Sequence, residues 1–398
     1  MAGINQTPNA NRVHIGFFGK RNAGKSSVVN AVTGQKLSIV SDVKGTTTDP
    51  VSKAMELLPV GPVVIIDTPG IDDEGLVGEM RVRRARQILN KTDVAVLIID
   101  GVVGKSQTDE DLIKLFEEKA LPYIVVYNKS DLSKQKDLKE NEISVSAMTR
   151  ENINELKERI AKLAKTEQNE KRIIGDFLDP SDIVVLVTPI DGSAPKGRMI
   201  LPQVQTIRDI LDGHAMCIVT QTDQLKAALD SLKEPPKMVV TDSQAFSIVK
   251  DIVPETVPLT SFSILFANYK GVLKTAATGA ASVEKLKDGD TVLISEGCTH
   301  HRQCEDIGTV KLPNWINKHT GKSINFEFTS GGEFPDDLSK YSLIVHCGGC
   351  MLNEREVLYR QKCAQDQGIP FTNYGTLIAY MNGILARSAE IFPDILIK

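Results

Sequence analysis

The chain has 398 residues, of which 41% are hydrophobic and 25% are charged, and its net charge is −4. This length predicts two or three domains of about 150 residues each, and no apolar run approaches the roughly 18 residues that cross a membrane. The charges are spread almost evenly, so no segment has the strongly basic character that favours binding to nucleic acid. The first residues lack the basic and apolar regions of a signal peptide. We therefore expect a cytoplasmic protein with neither a membrane nor a nucleic acid as its partner.

The first segment, residues 8–170, alternates short β-branched apolar runs with amphipathic helical patterns, as parallel α/β sheets do. The apolar runs predict strands at 14–18, 63–66, 94–100 and 123–127. The helical patterns predict helices at 25–32, 79–89, 108–118 and 152–163. Together they indicate a doubly wound, mostly parallel α/β domain.

Two further segments continue this alternation on a smaller scale. Residues 171–262 predict strands at 183–189, 216–220 and 237–241, with helices at 202–211 and 223–232. Residues 263–398 open with a small-residue-rich helical pattern that runs from 262 to 281. They then predict strands at 291–295, 324–328 and 341–346, with helices at 312–318 and 353–367. The fold class expected for the whole chain is α/β, in three α/β domains.

Residues 19–26 match the pattern G-x-x-x-x-G-K-[ST] between a predicted strand and a predicted helix, which is the context of a phosphate-binding loop. The glycines let the loop wrap so that its backbone N–H groups face phosphate oxygens. Lys25 adds a positive charge at the β- and γ-phosphates, and Ser26 offers a hydroxyl to Mg²⁺. An ordinary glycine-rich turn is the alternative.

Three further motifs point to guanine nucleotides. Asp67 ends a predicted strand, where its carboxylate can hold the Mg²⁺ shell, and the N–H of Gly70 can reach the γ-phosphate. Residues 128–131 end another strand, and the Asp131 carboxylate can accept both the N1–H and the 2-amino hydrogen bonds of guanine. Residues 144–147 can close the base pocket. We predict a GTP- and GDP-binding site made of Gly19, Asn22, Ala23, Gly24, Lys25, Ser26, Ser27, Asp67, Gly70, Asn128, Lys129, Asp131, Ser146 and Ala147.

These motifs resemble the TrmE-Era branch of the translation-factor-like GTPases across residues 12–165. Residues 39–49 resemble the first switch of that branch, with its G-T-T-x-D signature. The resemblance implies that Thr47 contacts Mg²⁺ together with Ser26 and Asp67. It also implies that Asn22 ligates a K⁺ ion, which can neutralise charge between the β- and γ-phosphates as an arginine finger does.

The residue after Gly70 departs from the small signalling GTPases. Ile71 stands there, so no glutamine orients the attacking water, and we expect slow hydrolysis that K⁺ stimulates. Glu79 falls where the potassium-dependent relatives place a water-orienting glutamate, and an exposed helix carboxylate is the alternative. The expected catalytic residues are Lys25, Thr47, Asp67, Gly70 and Glu79.

Five of the six cysteines lie in the last third of the chain. In a reducing cytoplasm such a cluster favours metal or redox chemistry over disulfides. Residues 298–301 and 346–350 each follow a predicted strand, at the edge where open α/β sheets form binding crevices. Cys298, Cys347 and Cys350 can therefore hold a [4Fe–4S] cluster and leave one iron for a weaker ligand. Structural zinc and buried cysteines without metal are the alternatives.

Several residues near these cysteines can supply the fourth ligand of the cluster. We favour a ligand other than cysteine, because a loosely held ligand can be displaced. Cys363 and Cys217 are expected to be core residues instead. The candidates for the fourth ligand are Glu305, His300, His346, His301 and Cys304.

The order of the motifs along essentially the whole chain resembles the HydF family of [FeFe]-hydrogenase maturation GTPases. A TrmE-Era-like GTPase segment comes first, followed by a small α/β segment and then by the motifs C-x-H and H-C-x-x-C. The resemblance implies a GTP-binding domain at 8–170, a dimerisation domain at 171–262 that forms a homodimer, and an iron–sulfur cluster-binding domain at 263–398.

The same resemblance implies a scaffold that holds a transient diiron subcluster precursor and delivers it to apo-[FeFe]-hydrogenase. Two radical S-adenosylmethionine maturases would supply the precursor. The competing interpretation is a TrmE-Era-like regulatory GTPase with a structural zinc site, acting in RNA modification or ribosome assembly.

Overall fold

A computed structural model describes residues 7–35, 51–68, 88–133, 135, 137–167, 171–189, 199–297, 306–393 and 395. The chain divides into two compact units, Met1–Glu170 and Lys171–Lys398. Among the residues described, no helix is both long enough and apolar enough to span a bilayer.

The first unit contains a six-stranded sheet in the order β2-β3-β1-β4-β5-β6. All neighbouring strands are parallel except β2, which runs antiparallel to β3. The strands are β1 Val13–Gly19, β2 Val51–Leu57, β3 Gly61–Asp67, β4 Val94–Asp100, β5 Tyr123–Asn128 and β6 Glu142–Ser144. The helices described in this unit are α1 Lys25–Thr33, α2 Gln107–Glu118 and α3 Ile153–Glu167.

Both faces of this sheet are buried, which explains its near-continuous apolar strands. In β4, Val94, Val96 and Ile98 pack into the hydrophobic cluster on one face. The alternate residues Leu97 and Ile99 pack into the cluster on the other face. A strand buried on both faces shows no polar alternation, so a continuous run of apolar residues marks it in the sequence.

The second unit contains two four-stranded parallel sheets, and short helices connect their strands along the chain. The first sheet has the order β10-β9-β7-β8, with β7 Ile183–Val187, β8 Met216–Thr220, β9 Met238–Thr241 and β10 Leu259–Ser261. Its helices are α4 Leu201–Asp212, α5 Leu225–Asp230 and α6 Phe246–Ile252.

The second of these sheets has the order β12-β11-β13-β14, again all parallel. Its strands are β11 Thr291–Ser295, β12 Asn325–Thr329, β13 Leu343–His346 and β14 Phe371–Asn373. The helices are α7 Phe262–Tyr269, α8 Leu273–Ala280, α9 Leu312–Thr320, α10 Glu354–Asp366, α11 Tyr374–Met381 and α12 Leu385–Ala389. The predicted α/β class with mostly parallel sheets is therefore confirmed.

The single helical pattern predicted over residues 262–281 was wrong, because the structure has two helices there. Helix α7 ends before Gly271, which adopts a left-handed conformation with φ of 72° that interrupts the helix. The small residues of α8 serve close packing, since a Cβ on Gly279 would run into the carbonyl of Phe371 in β14.

One hydrophobic cluster joins both sheets of the second unit. It includes Val185 and Val240 from the first sheet and Ile294 and Val345 from the second. The division between domains at residues 262 and 263 stays a prediction.

Candidate nucleotide site and cysteine loop

The phosphate-binding loop runs from the end of β1 at Gly19 to the start of α1 at Lys25. Gly24 has a φ of 84°, and a Cβ there would collide with the amide of Asn128. No side chain caps the start of α1. Its first N–H groups are therefore available to an anion, as a phosphate site requires.

Lys25 and Asp67 face each other at the end of the sheet. The Nζ of Lys25 lies 3.6 Å from Oδ1 of Asp67, and both side chains are largely buried. Burial raises the pKa of Asp67, and the nearby Lys25 ammonium only partly offsets this effect. Within the described residues, Oδ1 of Asp67 is a buried oxygen without a hydrogen-bond donor. An unsatisfied carboxylate oxygen beside the phosphate loop fits the hydrated shell of Mg²⁺.

The buried side chain of Asn128 connects the phosphate loop to the base loop. Its Nδ2 donates to the carbonyl of Ala23 at 3.1 Å, and its Oδ1 accepts the N–H of Ala147 at 3.1 Å. The Oγ of Ser146 donates to Oδ1 of Asp131 at 2.6 Å and so orients the carboxylate that is predicted to read guanine. The structure thus brings the described motifs of the predicted site to one edge of the first sheet.

Two carboxylates that the sequence analysis did not single out support this edge. Asp100, at the end of β4, accepts a hydrogen bond from Nζ of Lys129 at 2.5 Å. Glu151 accepts one from Oγ of Ser130 at 2.6 Å. The one available signal was that Asp100 ends a buried strand, as Asp67 does.

Part of the predicted nucleotide site falls outside the described residues. This applies to the first switch at 39–49 and to Thr47, Gly70 and Glu79. Ser26, Ser27 and Asn22 are described and exposed, and Asn22 has a φ of 66°.

In the second unit, Cys347 and Cys350 lie in a loop that follows β13 directly. The Sγ of Cys347 accepts N–H groups from Gly297 at 3.1 Å and Gly349 at 3.4 Å. Gly349 has a φ of 66°, which favours glycine at this position. Gly297 is the last described residue before Cys298 in the sequence.

Burial raises the pKa of the Cys347 thiol, with the two glycine N–H groups opposing it. Burial and the neighbouring Cys347 raise the pKa of Cys350 to about 12. A metal that binds these thiols must displace their protons. Sulfur atoms that accept backbone N–H groups in a partly buried loop fit the donor set of an iron–sulfur cluster, and thiolates also suit zinc.

Five of the predicted cluster residues, Cys298, His300, His301, Cys304 and Glu305, lie outside the described residues. Within the part of the chain that is described, no three His, Cys, Asp or Glu side chains group as a metal site would. Cys363 and Cys217 are partly buried and pack against hydrophobic clusters.

The imidazole of His346 is buried and has contacts at both ring nitrogens. Nδ1 lies 2.7 Å from the carbonyl oxygen of Cys347, and Nε2 lies 3.4 Å from a guanidinium nitrogen of Arg360. A carbonyl only accepts and a guanidinium only donates, so these partners select the neutral tautomer with hydrogen on Nδ1. Burial, together with Arg360, lowers the pKa of His346 to about 3. The sequence alone does not reveal this role of Arg360, because its partners other than Glu356 are distant along the chain.

Three family models match the chain. The hydrogen maturase F dimerization domain matches residues 173–271, and the hydrogen maturase F tetramerization domain matches residues 274–391. A 50S ribosome-binding GTPase model matches residues 14–129.

Curated relatives share the GTPase part of the chain. GTPase Der of Wolinella succinogenes is 35% identical over 38% of this chain and 36% of its own length. The tRNA modification GTPase MnmE of Bacillus licheniformis is 36% identical over 37% of this chain and 33% of its own length. The chain thus spans about a third of the length of these relatives. Among solved structures, a probable GTP-binding protein engB has 27% identity and a TM-score of 0.32, covering 39% of this chain and 100% of its own.

The two hydrogen maturase F models follow one another along the second unit, and the GTPase model covers most of the first. Together the three models account for most of the chain. The chain belongs to the hydrogen maturase F family.

Proposed function

We propose that this protein is a GTP-hydrolysing scaffold that carries a diiron subcluster precursor to apo-[FeFe]-hydrogenase. Residues 8–170 bind GTP, 171–262 form a homodimer and 263–398 hold a [4Fe–4S] cluster. Two radical S-adenosylmethionine maturases supply the precursor in the cytoplasm. The observation that carries the proposal is the contact of Gly297 with Cys347, in a chain of the hydrogen maturase F family. Cys347 belongs to one cysteine motif of the chain, and Gly297 directly precedes the other in the sequence.

In the proposed GTP site, each predicted residue has a defined task. Lys25 and the N–H groups at the start of α1 bind the phosphates, while Asp67 and Ser26 hold Mg²⁺ with Thr47. Asp131, oriented by Ser146, accepts the hydrogen bonds of guanine. Gly70 senses the γ-phosphate and Glu79 orients water.

Hydrolysis of GTP is expected to be several-fold faster in KCl than in NaCl at equal ionic strength. Asn22 is exposed in the phosphate loop, where its side-chain oxygen can ligate a cation between the phosphates. Phosphate release at saturating GTP and Mg²⁺ measures the rate, and Asn22→Ala should remove the difference between the salts. Equal rates for the unchanged protein in both salts would rule out the cation role of Asn22.

Cys298, Cys347 and Cys350 are the proposed cysteine ligands of the cluster. The fourth ligand is proposed to come from Glu305, His300, His301 or Cys304. His346 is the weakest candidate, because both of its ring nitrogens already have partners. When bound, the cluster offers one iron with a displaceable ligand. The chain itself holds the thiolates and donates N–H groups to the sulfur of Cys347.

The edge strand β8 supports the proposed homodimer. It is the last strand of its sheet, and its sequence Met-Cys-Ile-Val-Thr contains neither a charge nor a proline to protect the edge. Met216 and Val219 are exposed by 49% and 43%. A second copy related by a twofold axis would extend the sheet through this strand.

Val219→Lys is expected to shift the protein from dimer to monomer, weakening association by about tenfold or more, because like charges would face each other across the paired edges. Sedimentation over a range of protein concentrations measures the change. Ile248→Lys, on α6, is the matched control because Ile248 is also exposed, by 55%, but does not lie on the edge strand. A Val219→Lys protein that dimerises as tightly as this control would contradict the proposed interface.

The scaffold role is tested by anaerobic purification followed by transfer. The protein should contain about four irons and four sulfides per chain. It should also show the broad absorbance near ~400 nm that is typical of such clusters. Protein loaded by the two maturases should activate apo-[FeFe]-hydrogenase. A colourless protein with one zinc would instead favour the zinc-stabilised regulatory GTPase.

A further inference from the structure

A fully buried arginine lies beneath the cysteine loop. Arg360, on α10, has no exposed surface, and its Nε and one terminal nitrogen donate to Oε1 of Glu356 at 3.1 and 3.0 Å. The guanidinium also donates to Oγ of Ser295 at 3.1 Å and to the carbonyl of Gly331 at 2.6 Å. Its contact with Nε2 of His346 completes the set.

These partners place the cation between the two strands that lead to the cysteines. Ser295 ends β11, three residues before Cys298, and His346 ends β13 directly before Cys347. The two strand ends pair in the sheet, and the N–H of Cys347 donates to the carbonyl of Ser295 at 2.9 Å. Arg360 therefore contacts the last residue of both strands.

Burying such an ion pair is costly, and an apolar pair of similar volume often gives equal or greater stability. Stability alone is thus a weak reason for a charged pair here. Different nitrogens of the guanidinium meet the two partners. Nε and one terminal nitrogen of Arg360 donate to Glu356, and the other terminal nitrogen faces His346. His346 in turn donates from Nδ1 to the carbonyl of Cys347. A chain of contacts therefore links the buried cation to the backbone of the first loop cysteine.

We propose that Arg360 is a positioning residue for the cluster loop and that its charge stabilises the electron added when the cluster is reduced. The inference rests on the cluster proposed for Cys298, Cys347 and Cys350. Three thiolates give the site a net negative charge that one-electron reduction increases. A buried cation held nearby favours the reduced form, since local charge and hydrogen bonding set cluster potentials.

The test is a reductive titration of the reconstituted full-length protein, with dithionite as the electron donor and the EPR signal of the reduced cluster as readout. Arg360→Gln, which removes the charge, should shift the midpoint potential to more negative values. Arg360→Lys, which keeps the charge, should restore most of the potential. Glu356→Gln, which removes the opposing charge, should shift the potential to more positive values. The control Arg387→Gln removes an arginine that donates to the carbonyls of Val253, Pro254 and Val257, and should leave the potential unchanged.

The iron content of the protein separates failure of the proposed function from failure of the role proposed for Arg360. If the unchanged protein binds no cluster, the proposed function fails. If it binds about four irons per chain but Arg360→Gln has the same potential, only the role of Arg360 is overturned. Shifts of the same sign in Arg360→Gln and Glu356→Gln overturn it too, because general loosening of the loop would produce them. If Arg360→Lys shifts the midpoint potential as much as Arg360→Gln does, the charge of Arg360 is not the cause of the shift. If Arg360→Gln does not fold, the Glu356→Gln variant tests the role of Arg360 instead. A shift of its midpoint potential to more positive values supports that role, and any other result overturns it.

Discussion

Replacing Lys25 with alanine is expected to lower the rate of GTP hydrolysis by about 10²- to 10³-fold, the typical loss when one preorganised charge-stabilising group is removed. Lys25 begins α1, and its ammonium lies 3.6 Å from Asp67, where the β- and γ-phosphates are proposed to bind. The ammonium neutralises charge that grows on the phosphate oxygens during transfer. Phosphate release under saturating GTP and Mg²⁺ measures the loss.

The matched control is Lys114→Ala, which removes an exposed lysine from α2. Its rate should equal that of the unchanged protein. Binding of a fluorescent GTP analogue separates lost affinity from lost turnover. A Lys25→Ala protein that hydrolyses GTP within twofold of the control would show that the loop does not perform the proposed chemistry.

Replacing Cys347 with serine is expected to abolish the [4Fe–4S] cluster. The sulfur of Cys347 accepts two glycine N–H groups in the loop that also holds Cys350. Serine keeps the size of the side chain but is a poor ligand for iron–sulfur clusters. Iron and sulfide analysis after anaerobic reconstitution measures the loss.

Cys363→Ser is the matched control, because Cys363 packs beside a small hydrophobic cluster that includes Leu293 and Phe371. It should retain about four irons per chain. The rate of GTP hydrolysis serves as a folding check for both variants. If Cys347→Ser keeps its full iron content, Cys347 is not a ligand and the scaffold proposal loses its main support.

The long apolar strands of the fold could be predicted from the sequence, whereas its short elements could not. Strands β4, β8 and β11 have the predicted bounds. Short apolar runs rich in β-branched residues favour strands over helices. The sequence pattern did not predict β2, an edge strand that mixes Ser, Lys and Glu with apolar residues. It also missed β6, β10 and β14, which have only three residues each and depend on neighbouring strands.

The two candidate sites differ in how much of each the sequence reveals. The phosphate loop is a local motif, so its glycines and Lys25 identify it without knowledge of the fold. The Arg360 network is tertiary: a glutamate four residues before an arginine on a helix usually indicates an exposed pair of little consequence. Only the packing of α10 against the ends of β11 and β13 places that pair in the interior.

The Asn128 bridge also bears on nucleotide exchange. Its hydrogen bonds to Ala23 and Ala147 run between protein atoms, so they join the phosphate loop and the base loop directly. The entropy cost of ordering this side chain is therefore met during folding rather than during binding. We expect an incoming GTP to meet a phosphate loop and a base loop that are already joined, so binding need not bring these two loops together.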